Sequence, residues 1–186
     1  MVYLMRHGQD DETYVGGWSD VSLIPKGIKE VNDTALWIYN HLDIKRIECS
    51  DVKRAIETAE IVREVLHLPY QLNSHLREQN KGKLNGVRKD IAYADYADFL
   101  GNEITVDTVF PDGESLRDLY NRVKEYLEEI FKMEESTLLI THRGVINMIY
   151  YLLNKKDVDM NKKQFHVTTA SVHELNPIEK TIKRIH

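Results

Sequence analysis

Two apolar runs in the chain each stop at a histidine–arginine pair followed by glycine. Val2–Tyr3–Leu4–Met5 leads into Arg6-His7-Gly8, and Thr137–Leu138–Leu139–Ile140–Thr141 leads into His142-Arg143-Gly144. A neutral imidazole, with an ordinary pKa of about 6.5, is a competent nucleophile near neutrality. A guanidinium offers a planar fork of donors suited to phosphate or carboxylate oxygens. If both runs are central parallel strands, the histidines meet at one edge of the sheet, where open α/β sheets bind ligands. A helix starting after His142 then points its free N–H groups and positive dipole end at the same spot. Arg54, in the first turn of the helix after a second strand, reaches that edge too. The pattern suits a dianion such as phosphate. The residue types alone leave other readings open, because strand-end histidines are commonly structural and a lone helical arginine is commonly a surface group. Metal ligation by His7 and His142 is disfavoured: two arginines would repel a cation, and no acidic cluster at ligand spacing accompanies them.

The elements that must position these groups follow from periodicity. Gly16–Gly17 marks a turn that Trp18 could anchor to the body. Pro25 suits a first helical turn. Ile28, Val31, Ala35, Ile38 and Leu42 then recur at helical spacing and predict a helix over 25–42. The stretch 44–49 alternates as a strand, and Ser50–Asp51, good capping types, precede a helix over about 52–66. A short strand near 70–72 completes a β-α-β-α-β order, which points to a parallel sheet covered by helices. Residues 73–112 are the least regular part, holding Leu76-Arg77-Glu78, Gly82, Gly86 and a helix over 88–100. They read as an excursion over the sheet's carboxyl edge, a usual place for a lid or substrate loop. A helix then starts at Asp112–Ser115 and runs to about 132, followed by the strand 137–141 and a helix over 145–153. Strands at 166–175 and near 181–185 close the chain. No repeat or linker interrupts it, so one domain over 1–186 is expected.

Bulk properties bound the function. No apolar run approaches the roughly 18 residues that span a membrane, and about four apolar residues before Arg6 are too few for a signal peptide. The single Cys49 excludes an internal disulfide and fits a reducing compartment, the cytoplasm by default. A net charge of −5 argues against a broad nucleic-acid surface, so an anionic ligand must be held by a local cationic site.

Several blocks resemble the histidine phosphatase superfamily, the phosphoglycerate-mutase-like proteins. Leu4–Met5–Arg6–His7–Gly8–Gln9 is similar to the family's opening signature, and Ser50–Asp51–Val52–Lys53–Arg54–Ala55–Ile56–Glu57–Thr58–Ala59 to its second block. Leu76–Arg77–Glu78 with Gly82 and Gly86, Pro111–Asp112–Gly113–Glu114–Ser115, and Thr141–His142–Arg143–Gly144–Val145–Ile146 follow in the family's order. The resemblance implies an α/β fold: a three-layer α/β/α sandwich with a mostly parallel sheet and one antiparallel edge strand. It implies that His7 is a nucleophile forming a phosphohistidine, with its tautomer fixed by a hydrogen bond at the other ring nitrogen. Arg6, Arg54 and His142 would hold the phosphoryl oxygens. Glu78 would act as general acid and base, a role that favours a raised pKa. No cofactor and no metal are implied.

The chain departs from the family at four places. Relatives usually carry Ser or Thr at the position of Asp10, Asn at Thr13, a small residue at Arg143, and, in mutases, Tyr at Lys81. Asp10 would repel phosphate, so it is expected to point away or to meet a cationic part of the substrate. Thr13 and Arg143 are expected to add contacts to the phosphate. Mutases are typically longer, with inserted segments that close the site, so the phosphatase branch is favoured over isomerisation. The likeness is greatest to α-ribazole phosphatase and phosphoserine phosphatase-like members. A non-catalytic phosphate-binding module would have lost His7, Arg54, Glu78 or His142, and none is missing. The expected partner is a small phosphorylated metabolite, with neither nucleic acid nor membrane, acted on by a monomer or homodimer.

Overall fold

The computed structural model describes residues 1–101, 103–161 and 164–186. Six strands form one sheet: β1 (Val2–Arg6), β2 (Arg46–Cys49), β3 (Tyr70–Leu72), β4 (Thr137–Thr141), β5 (Val172–Asn176) and β6 (Thr181–Arg184), in the order β3-β2-β4-β1-β5-β6. The first four run parallel, and β1 and β4 lie side by side with Arg6 opposite Thr141. His7 and His142 therefore leave adjacent strand ends, and the His7 N–H donates to the Thr141 carbonyl.

Strand alternation sorts the core into two layers. Val2, Leu4 and Leu139 face one side, with α4 (Leu116–Ile130) and α5 (Arg143–Leu153) packed there through Leu119, Val123, Val145 and Ile149. Tyr3, Met5, Leu138 and Ile140 face the other side, covered by α1 (Pro25–His41) and α2 (Lys53–Leu66) through Val31, Ala35, Ala55 and Ala59. The expected α/β/α sandwich is the observed architecture. Pro25 opens α1 without needing a donor there. Ser115 caps α4 in a reciprocal box with Asp118.

Some boundaries differ from the periodicity. The antiparallel strand is β5, one place in from the edge, because the turn after Asn176 folds β6 back beside it. That strand begins at Val172, although the sequence pattern predicts extension from 166. Residues 167–171 instead wrap the end of β1: Val167 and Ser171 carbonyls accept from Arg6, the Ala170 N–H donates to the His7 carbonyl, and Ala170 takes a positive φ of 54°. Ser50 and Asp51 do not cap α2, whose N-cap is Val52. Both side chains are engaged elsewhere, Ser50 with His142 and Asp51 with Arg77.

The segment 73–112, of which residue 102 lies outside the described residues, begins with a 3-10 turn at Ser74–Leu76 and continues through a second at Gly82–Leu84. The helix expected over 88–100 is split into α3 (Lys89–Asp95) and a 3-10 turn at Ala97–Phe99. A small cluster of its own holds this part together, with Leu84, Ala92 and Phe110 buried against Val15. Among the described residues no helix is long and apolar enough to cross a membrane.

One core group makes the fold acid-sensitive. His173 on β5 is fully buried, with its ring nitrogens bonded to Tyr150 and Ser171 hydroxyls. Burial, then the charges of Arg184 and His166, pushes it down from 6.5 to about 4. As pH falls through 6.5 the unfolded chain gains a proton at this residue, whereas the folded chain gains none until about 4, so stability is lost across that window. The expected slope from His173 is about 1.4 kcal/mol per pH unit, roughly 3 kcal/mol over the window. Urea unfolding at stepped pH should show a slope shallower by about this amount in His173→Asn than in the native protein. An unchanged slope in that variant would remove the assignment.

Candidate active site

His7 is 3% exposed at the end of β1. Its Nδ1 lies 2.7 Å from the Gly8 carbonyl, which can only accept, so Nδ1 carries the proton and Nε2 the lone pair. Gly8 is itself fixed, its N–H donating to Thr58 Oγ1. Burial, with the charges of Arg54 and Arg6 adding to it, holds His7 well below the usual histidine range. The ring is thus neutral at neutral pH and in the tautomer that a nucleophile at Nε2 requires.

Arg54 is the centre of the cluster. Its Nε–H donates to His7 Nε2 at 3.1 Å, Nη1 to Ser19 Oγ at 3.2 Å, and Nη2 to the Gly17 carbonyl at 2.9 Å and His142 Nδ1 at 3.1 Å. Gly17 presents that carbonyl from a positive φ of 69°, where a Cβ would overlap Asn85 and Gln79. His142 is fully buried behind Arg54, its ring 5.1 Å from that of His7. Since its Nδ1 accepts from a guanidinium, the proton sits on Nε2 and is donated to Ser50 Oγ at 2.8 Å. Burial, then the Arg54 charge, holds His142 well below the histidine range as well.

Arg6 extends from the same strand end, with Nη1 donating to the Val167 carbonyl at 3.1 Å. Its buried Nε–H meets no acceptor among the described residues. Burial, then Arg143, lowers its pKa to about 10, so it stays charged at neutral pH.

Glu78 approaches from the opposite wall. Its Oε2 accepts from the Gly144 N–H at 3.1 Å, in the first turn of α5, and its Oε1 from the Gln79 N–H at 2.9 Å. The helix end expected to face an anion therefore holds a carboxylate of the chain itself. Gly144 permits this, because a Cβ there would overlap the Glu78 carboxylate.

These groups share a cavity of about 520 Å³. Arg6, His7, Arg54, Glu78 and Arg143 line it together with Tyr14, Tyr93, Phe99 and Phe110. Of the residues nominated from sequence, His142 touches Arg54 and is absent from the wall, while Thr13 is not brought to the cavity. The Thr13 hydroxyl and N–H both donate to Asp11 Oδ1, a local turn that carries the side chain away. Asp10 does not point away: its Oδ2 lies 3.5 Å from Arg54 Nε. Lys81 lines the cavity with Nζ donating to Gln79 Oε1 and lying 3.9 Å from the Phe110 ring centre. Sequence reasoning missed Ser19, Gly17, Ser50 and Thr58, the supports of Arg54, His142 and Gly8. Trp18 anchors the first loop to the body as expected, its Nε1 donating to the Glu78 carbonyl at 2.7 Å.

The close approach of Glu78 to α5 yields a direct test. Gly144→Ala should cost about 1–3 kcal/mol in urea unfolding through overpacking. In a Glu78→Ala background the same change should cost clearly less, because the carboxylate is gone and Leu119 Cδ2, 3.1 Å from the added Cβ, has only a few tenths of an ångström to give. Equal costs in both backgrounds would show that the two residues do not collide.

Comparison with known proteins identifies the family. Residues 2–185 match the family described as histidine phosphatase superfamily, branch 1. The chain is 32% identical over 148 residues to a protein of Escherichia coli O1:K1 named "Probable phosphoglycerate mutase GpmB", covering 76% of this chain and 68% of that one. The fold is similar to that of an alpha-ribazole phosphatase from Shigella flexneri, with a TM-score of 0.81 at 18% identity over 99% of this chain and 94% of the other. It is also similar to a mycobacterial glucosyl-3-phosphoglycerate phosphatase in complex with VO3, with a TM-score of 0.78 at 23% identity, covering 94% and 92%. The protein has the phosphoglycerate mutase-like fold and belongs to the histidine phosphatase superfamily.

Proposed function

We propose that the protein is a phosphomonoester hydrolase acting on a small phosphorylated metabolite through a phosphohistidine on His7. The observation that carries this reading is the buried His7 ring, with Nδ1 tied to the Gly8 carbonyl and Nε2 open to a cavity that also holds Arg6, Arg54 and Glu78. An ester dianion arriving there replaces His7 Nε2 as an acceptor of Arg54 and frees the lone pair. Arg6 and Arg54 hold the phosphoryl oxygens, where transition-state charge is spread, and Arg143 on the cavity wall adds a third positive charge. His142 contributes by aiming Arg54.

His7 Nε2 then forms a bond to phosphorus as the ester P–O bond breaks, and Glu78 gives its proton to the departing oxygen. In the second step Glu78 takes a proton from water, whose oxygen attacks phosphorus and breaks the P–N bond. Inorganic phosphate leaves, and His7 returns to its neutral form. The segment 73–112 serves as the substrate loop, since Tyr93, Phe99 and Phe110 supply apolar wall to the part of the cavity that receives the leaving group.

Return of the phosphoryl group to the substrate is the second reading, and the name of the E. coli relative favours it. Against it stands Asp10, whose carboxylate beside Arg54 disfavours the doubly phosphorylated intermediate that isomerisation passes through. Turnover of 4-nitrophenyl phosphate and of 3-phosphoglycerate by the native protein and His7→Ala tests both. We expect phosphate release by the native protein to exceed isomerisation, and a loss of about a thousandfold or more in His7→Ala. Faster isomerisation would favour the mutase reading. An inactive native protein would favour a binding module, and full activity of His7→Ala would remove His7 as nucleophile.

A further inference from the structure

The chain carrying Glu78 is gripped by an ion pair that has no part in the chemistry above. Arg122 on α4 donates through Nη1 to the His75 carbonyl at 2.9 Å, and through Nη2 to the Arg77 and Glu78 carbonyls at 3.2 and 3.3 Å. The same Nη2 meets Glu114 Oε1 at 2.9 Å, and that oxygen accepts from the Asn80 N–H at 2.8 Å. One guanidinium and one carboxylate thus hold main-chain groups on both sides of Glu78. No helix or strand fixes this stretch, because one 3-10 turn ends at Leu76 and the next begins at Gly82. Arg122 and Glu114 are both mostly buried, and neither lines the cavity. Charge-assisted hydrogen bonds of this kind are strong enough to set the position of a loop that lacks a ladder of its own.

Resting on the hydrolase reading, we propose that the Arg122–Glu114 pair is the positioning device of Glu78. It sets the carboxyl group over the ester oxygen and so governs proton delivery to the leaving group. Phosphoryl binding by Arg6 and Arg54 and attack by His7 belong to the other wall of the cavity and do not depend on it. A misplacement of about 1 Å at a reacting group is enough to cost about a hundredfold in rate.

The test compares kcat/KM on two esters. The oxygen of 4-nitrophenyl phosphate leaves without a proton, whereas that of glycerol phosphate needs one. Arg122→Gln and Glu114→Gln should lose about a hundredfold on glycerol phosphate and less than about threefold on the nitrophenyl ester. Arg122→Lys, which keeps the charge without the fork, should recover part of the loss. In a Glu78→Gln background Arg122→Gln should add nothing, since the pair acts through Glu78. Equal losses on both esters, or losses that multiply with Glu78→Gln, would overturn the proposal. If Arg122→Gln fails to fold, Glu114→Gln, which preserves size, decides by the same comparison. A native protein that hydrolyses neither ester would remove the hydrolase reading and the positioning role together. An active one whose variants lose equally on both esters removes the positioning role alone.

Discussion

A guanidinium buried to 2% exposure is the constraint on which the site depends. Placing Arg54 there costs several kcal/mol of desolvation unless its donors are met, and removing one partner of a buried charge typically costs about 3–5 kcal/mol. The protein meets those donors with atoms from three separate places: His7 after β1, Gly17 and Ser19 in the first loop, and His142 after β4. Asp10 supplies the nearby opposite charge at 3.5 Å. Satisfying Arg54 therefore draws both strand-end histidines and the first loop to one point. The parallel pairing of β1 with β4 is what makes that geometry reachable.

The same interaction satisfies both histidines. Arg54 occupies the lone pairs of His7 Nε2 and His142 Nδ1, so neither histidine is left as an unpaired buried acceptor. Burial beside guanidinium groups keeps both rings neutral, with the Gly8 carbonyl choosing the tautomer of His7. In the proposed reaction an anion takes over Arg54 and exposes His7 Nε2 by that exchange. Across the cavity, Glu78 is seated on the α5 N-terminus, through a contact that only glycine at 144 allows. His7 and Glu78 are thus held by separate sets of contacts.

Local pattern made the scaffold legible: the apolar runs of β1 and β4, the spacing of Val31, Ala35 and Ile38, and the Ser115 cap all read directly. The histidines, Arg6, Arg54 and Glu78 were legible because they sit at element ends or in recognisable blocks, and the structure gathers them. Long-range backbone contacts were not legible. Arg6 reaching Val167 turns 167–171 away from strand, and Arg122 reaching three carbonyls has no periodic signature. Thr13 was misplaced for a local reason, as an aspartate two residues before it captures its hydroxyl. Ser50 and Asp51 looked like caps because capping and site support use the same short polar side chains.

The central claim is that His7 Nε2 becomes phosphorylated during turnover. The most direct measurement is alkaline rapid quench of the native protein with 4-nitrophenyl phosphate, followed by peptide mapping by mass spectrometry. The account predicts a phosphoryl group on the peptide containing His7, appearing before steady-state phosphate release and absent in His7→Ala. Rapid turnover with no phosphorylated peptide, or with the group on another residue, would contradict it.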